Sequence, residues 1–132
     1  MTRVVVPVRF PLTEHSRQTL AAAIDITEAQ EDGELTVLHV NPYQTETRVT
    51  RTDLKRAVER SFGSLPHVRY VVRRGFLVEQ SILEEVASQD ADVVVIGDKQ
   101  ISRWRRSLRR LLGEPDIESF LRRELDCDLR IV

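Results

Sequence analysis

Asp90-Ala91-Asp92-Val93-Val94-Val95-Ile96-Gly97 is the stretch that decides the architecture. Val93 to Ile96 is a run of branched aliphatic residues with no polar alternation, so neither face of the segment is suited to water. A strand apolar on both faces belongs in a parallel sheet with helices on both sides, because a strand with one wet face alternates. Gly97 stops the run before it reaches helical length. It is the strongest strand of the chain and is expected at the centre of the sheet.

The pattern repeats upstream. Val4-Val5-Val6-Pro7-Val8 is a second run of this kind, with Pro7 near its end, where a missing N–H is tolerated. Leu35-Thr36-Val37-Leu38-His39-Val40, ended by Asn41-Pro42, is a third, and Val68 to Val72 is a weaker fourth. Helical spacing fills the intervals. Thr13 is placed to cap a helix starting at Glu14, with Leu20, Ala21, Ala23, Ile24 and Ala29 on one stripe and Asp32-Gly33 closing it. Residues 43–52 read as a loop or a frayed helix start. Asp53 to Phe62 is helical and is ended by Gly63. Gly75-Phe76 is a turn, and Val78 to Ser88 is a helix with Val78, Ile82, Leu83, Val86 and Ala87 on one side.

Downstream, Ile101, Trp104, Leu108, Leu111 and Leu112 share a face of a helix from Ile101 to Leu112. Gly113-Glu114-Pro115-Asp116 breaks it, a last helix follows from Asp116 to Leu125, and Leu129-Arg130-Ile131-Val132 is a final strand. Strands alternating with helices through short connections imply right-handed crossovers and a three-layer α/β/α domain spanning residues 1–132.

Composition supports one globular domain. The chain has 132 residues, 41% hydrophobic and 31% charged, which excludes a disordered chain and a coiled-coil rod. The net charge of −1 argues against a globally basic nucleic-acid binder. Cys127 is the single cysteine, so no internal disulfide or cysteine-rich zinc site forms, and the three histidines have no metal-ligand spacing. No apolar stretch approaches 18 residues and no leader pattern precedes the first strand, so a cytoplasmic protein with no membrane partner is expected.

Several of these segments resemble the universal stress protein (UspA-like) family. Val4 to Val8 followed by Glu14-His15-Ser16 is similar to the family's opening strand and helix start. The strand ending in His39-Val40, the run Asp90 to Gly97, and Leu125-Asp126-Cys127 before a terminal strand are similar to its later segments. The resemblance spans essentially the whole chain. It implies a five-stranded parallel sheet of order 3-2-1-4-5, no catalysis, and a homodimer through the last strand, placing Leu129, Ile131 and Val132 at the interface. It also implies a ligand crevice at the carboxyl ends of strands 1 and 4, where the strand order reverses. On this chain that crevice takes in Val8, Arg9, Val40, Gly97, Asp98, Gln100, Arg105, Arg106, Gly113 and Glu114.

Family members that bind ATP carry Gly-x2-Gly-x9-Gly-(Ser/Thr) after strand 4 and an acid after strand 1. Here Gly97 matches the first glycine, but Gln100 stands at the second. Gly113 falls three residues late and is followed by Glu114, and the acid is replaced by Arg9. Gln100 adds a side chain where backbone should approach phosphate. Asp98 and Glu114 add repulsion; two like charges about 4 Å apart cost ~4 kcal/mol at an effective dielectric of ~20. No cofactor is therefore expected, and ATP should bind weakly or not at all.

The run Arg103-Trp104-Arg105-Arg106-Ser107-Leu108-Arg109-Arg110 is the most unusual segment; six cations and no acid lie between Lys99 and Arg110. It is either the solvated face of a helix whose Trp104 and Leu108 are core, or a clamp for an anionic small molecule. As a third possibility it is a nucleic-acid contact with Trp104 stacking on a base. Because Trp104 shares its face with Ile101, Leu108 and Leu111, the core role is expected. His15 and Ser16 read as helix-start residues, His39 as a packed strand-end residue, and Cys127 as a small hydrophobe whose acidic neighbours raise its pKa.

Overall fold

The computed structural model describes residues 1–44, 46, 48–112, 122–124 and 126–132, with only the main chain at 105 and 107–112. Among the described residues the elements run in the order β1 (Thr2–Pro7), α1 (Glu14–Glu28), β2 (Gly33–Pro42), α2 (Arg51–Phe62), β3 (Val68–Gly75), α3 (Val78–Ser88), β4 (Val93–Ile96), α4 (Asp98–Leu112) and β5 (Asp128–Ile131). The strands form one parallel sheet of order β3-β2-β1-β4-β5. The expected helix over 116–125 lies largely outside the described residues, as does the break at 113–116.

Successive residues of each inner strand feed opposite layers. Val5 packs with Leu38, Val94 and Ile96 under α3 and α4, against Ile82, Val86, Ile101 and Trp104. Val4 and Val6 pack with Leu35, Val37 and Val95 under α1 and α2, against Leu20, Ala23, Leu54 and Val58. This two-sided burial is why β1, β2 and β4 read as unbroken apolar runs. Among the described residues no helix is long and apolar enough to cross a membrane.

Three expectations are corrected. β4 is not central; β1 takes the middle, hydrogen-bonded to β2 on one side and β4 on the other. β4 is nonetheless buried on both faces, because Val94 and Ile96 pack under α3 and α4 and Val95 packs on the opposite layer, while β5 pairs with its far edge. Gly33 does not close α1: the helix ends at the cap residue Ala29, and Gly33 opens β2. Glycine is required there because a Cβ would run into the Thr27 carbonyl. Gly75 is the last residue of β3, not part of a turn, and its missing Cβ leaves space for the Ser81 hydroxyl.

α2 begins at Arg51, two residues earlier than the apolar spacing indicates. Thr50 caps it: its hydroxyl accepts from the Asp53 N–H at 3.1 Å, and the Asp53 carboxylate accepts from the Thr50 N–H at 3.0 Å. Thr13 caps α1 as expected, accepting from the Ser16 N–H at 3.2 Å.

Candidate functional site

β1 and β4 are neighbours, yet their chains leave the sheet toward opposite layers: β1 leads to α1, and β4 leads to α4. Where connections diverge in this way a doubly wound sheet opens at its carboxyl edge. Two cavities lie there, of about 660 and 350 Å³, on either side of the segment from Pro7 to Pro11. That segment, Gln100 and Arg103 line both, so they are two lobes of one crevice. The larger lobe is within the size range of small-molecule sites, roughly 300–1,000 Å³.

Of the sequence-derived candidates, Val8, Arg9, Val40 and Gln100 line the larger lobe. Val8, Arg9, Gly97, Asp98 and Gln100 line the smaller one. Arg106 is exposed, one helical turn from Arg103. Gly113, Glu114 and the side chain of Arg105 lie outside the described residues. α4 starts at Asp98, immediately after Gly97, and not at Ile101. A helix therefore stands where the ATP-binding pattern has a glycine loop. The Asp98 N–H is already committed to the Val132 carbonyl at 2.8 Å. Gly97 is held close to α1, where a Cβ would meet the Thr19 hydroxyl at 3.0 Å.

Sequence reasoning named Arg103 only as one of the 103–110 arginines that could clamp an anion, and placed Arg105 and Arg106 in the crevice in its stead. Arg103 is half-buried beside both lobes and donates to the Gln100 side-chain oxygen at 3.1 Å. Burial, and then the charges of Arg9 and Arg106, push its pKa below the ordinary guanidinium value, while Glu79 opposes the shift. It stays protonated. Arg9 and Arg103 thus share the crevice wall, with Arg106 one helical turn away, and an anion placed there relieves their repulsion.

His39 ends up both packed, as expected, and in the wall. Its Nδ1 lies 3.0 Å from the Val8 carbonyl oxygen, which only accepts, so Nδ1 carries the proton. Nε2 is the nitrogen left for a second partner. Phe10 packs against the His39 ring edge-on, with centroids 6.3 Å apart. Asn41 holds the next segment, exchanging two hydrogen bonds with the main chain of Val49 at 2.9 and 3.1 Å. Asp53 and Glu79 add carboxylates to the larger lobe. The hydrogen bonds of Thr50, followed by Arg56, hold Asp53 below the usual carboxylate range.

Trp104 is fully buried among Ile82, Ile101 and their neighbours, so it is no stacking platform. The side chains of Leu108, Leu111 and Leu112 lie outside the described residues. Burial, then Asp128, Asp126 and Asp92, pushes the Cys127 thiol up, in the direction its acidic neighbours indicate. Glu84 and Glu85 both pair with Arg73, at 3.1 and 3.2 Å. Of the residues expected at the dimer interface, Leu129 is 2% exposed, with its side chain in the core under α3 and α4. Ile131 is half-buried and Val132 is exposed.

The profile of the universal stress protein family matches residues 1–128. Among solved structures, the chain is similar to universal stress protein UspA from Lactobacillus plantarum, with a TM-score of 0.67 at 15% identity over 99% of this chain and 97% of that one. It is similar to a universal stress protein in complex with cAMP, with a TM-score of 0.65 at 19% identity over 100% and 98% of the two chains. It is also similar to a protein from Mycobacterium tuberculosis H37Rv, with a TM-score of 0.56 at 20% identity over 99% and 94%. No curated protein matches the chain.

Proposed function

The chain belongs to the universal stress protein family, and from that premise we propose that it is a cytoplasmic, non-catalytic module whose crevice takes a small phosphate-bearing anion of the nucleotide class, without tight binding of ATP. The observation that carries this reading is Arg103: a half-buried guanidinium that lines both lobes of the crevice together with Arg9, with Arg106 one helical turn away. Positive charge gathered against its own repulsion fits a ligand phosphate, which accepts bidentate bonds from arginine. The apolar wall of Val40, Val49 and Ile82 suits a base. The cAMP carried by a relative of the same fold is a ligand of this class.

A triphosphate fits less well. Asp53 and Glu79 line the larger lobe and Asp98 the smaller, so each further phosphate meets a carboxylate. His15 and Ser16 line the smaller lobe, but among the described residues the Ser16 hydroxyl is hydrogen-bonded to the Thr13 hydroxyl at 3.1 Å rather than to a histidine base. The module acts as a homodimer in which the outer edge of β5 pairs with its copy; Ile131 and Val132, with the main chain of Leu129, form that contact.

Calorimetric titration with AMP and with Mg-ATP tests the ligand reading. AMP is expected to bind, and Arg103→Gln to weaken it by at least about tenfold, in line with the ~1.5–3 kcal/mol that a hydrogen bond to a charged group contributes. Mg-ATP is expected to bind no more tightly and to release no ADP. AMP binding untouched by Arg103→Gln, or tight Mg-ATP binding, would overturn it.

A further inference from the structure

We propose that Tyr43, Arg74 and Phe76, in segments that continue from the wall of the larger lobe, form a stacking subsite for a second nucleobase, so that the ligand is two nucleotides joined by phosphate. This rests on the nucleotide reading of the crevice and extends it.

Phe10, Tyr43 and Phe76 are 37%, 55% and 68% exposed, and each follows the carboxyl end of a strand. Large rings usually bury most of their area, so their collection at one edge of the sheet calls for an occupant. The Tyr43 N–H donates to the Gly75 carbonyl at 3.1 Å, which ties the segments after β2 and β3 side by side. Both segments are continuous with the cavity wall: Pro42 precedes Tyr43, Val78 follows Phe76 by two positions, and both line the larger lobe.

Among the described residues the charge beside these rings has no carboxylate partner. Arg73 and Arg74 alternate along β3. Arg73 is spent on Glu84 and Glu85 of α3, whereas Arg74 points away from them, with its guanidinium carbon 4.9 Å from the centre of the Tyr43 ring. The cation stacks on the phenol, and Tyr43 remains 55% exposed. An exposed ring backed by arginine, with a second exposed ring next to it, is how proteins hold an unpaired base and its phosphate. A mononucleotide with its phosphate at Arg9 and Arg103 and its base against Val40 and Ile82 uses residues that line the lobe and leaves Tyr43 and Phe76, which do not line it, unused. A second nucleotide reaches them.

Titration with AMP, 5′-phosphorylated diadenylate and hexaadenylate tests the subsite. Diadenylate is expected to bind about tenfold or more tightly than AMP. Tyr43→Ala and Phe76→Ala are expected to erase that gain while leaving AMP affinity unchanged, and Tyr43→Phe to keep it. Both positions are exposed, so the fold tolerates them. Hexaadenylate binding as well as diadenylate identifies the ligand as a strand end, and exclusion of hexaadenylate identifies a free dinucleotide; either supports the subsite. Diadenylate no tighter than AMP, or a gain that survives both alanines, overturns the subsite alone. Failure of AMP and diadenylate alike overturns the nucleotide reading and the subsite with it.

Discussion

Arg103 and Trp104 are adjacent, and a helix turns about 100° between them. One residue therefore faces the crevice and the next faces the core. Trp104 was legible in the sequence, because its spacing from Ile101 is that of a buried stripe. Arg103 was not, because the arginines from 103 to 110 look alike in one dimension and only the start of α4 at Asp98 decides which of them meets the crevice. His39 was legible as a packed residue, but its fixed tautomer depends on the Val8 carbonyl of another strand. The Trp104 indole is fully buried, and its N–H has no partner among the described residues, so its contribution is one of packing. Trp104→Ala should cost about 3–5 kcal/mol, as large aromatic truncations do. Denaturant unfolding measures this directly; a change below 1 kcal/mol would show that the side chain is not core.

At the scale of elements, β1, β2, α3 and β4 are visible because burial on fixed faces writes a period into the chain. The start of α2 was missed, since 43–52 carries no apolar period, although Thr50-Arg51-Thr52-Asp53 holds a capping box. The glycines were misassigned for a related reason: Gly33 and Gly75 answer to a carbonyl and a hydroxyl that approach from elsewhere, with no local signature. Thr50→Ala should cost about 1 kcal/mol, the usual worth of such a cap, and should let the Asp53 pKa rise toward the ordinary range. Because the folded pKa of Asp53 is depressed, its contribution is present above the unfolded carboxylate pKa and is lost as pH falls through the folded one. Carboxyl titration by NMR in the two proteins checks both the direction and the rise; because alanine keeps the Thr50 N–H, an unchanged Asp53 titration would rule out the threonine hydroxyl and leave the main-chain N–H as the cause.

At the scale of the whole molecule the strand order follows the family resemblance. Run strength pointed to the wrong centre, because a strand next to the middle is as dry as the middle one. The edges are what distinguish them. β5 hydrogen-bonds to β4 through Asp128 and Val132, whose N–H groups reach Asp92 and Ile96 at 3.0 Å each. The alternation of a parallel ladder then turns the N–H and C=O of Leu129 and Ile131 to the outer edge. Ile131→Pro removes an outward donor while sparing the bonds to β4. It should convert a dimer to a monomer in light scattering at tens of micromolar with the fold retained by circular dichroism. A wild-type monomer, or a dimer indifferent to the proline, would sink the edge-pairing proposal.

The central place of β1 has a consequence for how the chain is made. As the chain leaves a ribosome, β1, β2 and β3 appear in order and pair on one side. The other side of β1, the run Val4-Val5-Val6, waits for β4, which is encoded far downstream. At about 5–20 residues per second that delay lasts several seconds. For that interval the nascent half-domain carries an open, fully apolar strand edge, the form most prone to pair with a neighbouring copy. Until Val93 to Ile96 emerge, protection of that edge falls to whatever sheathes the growing chain.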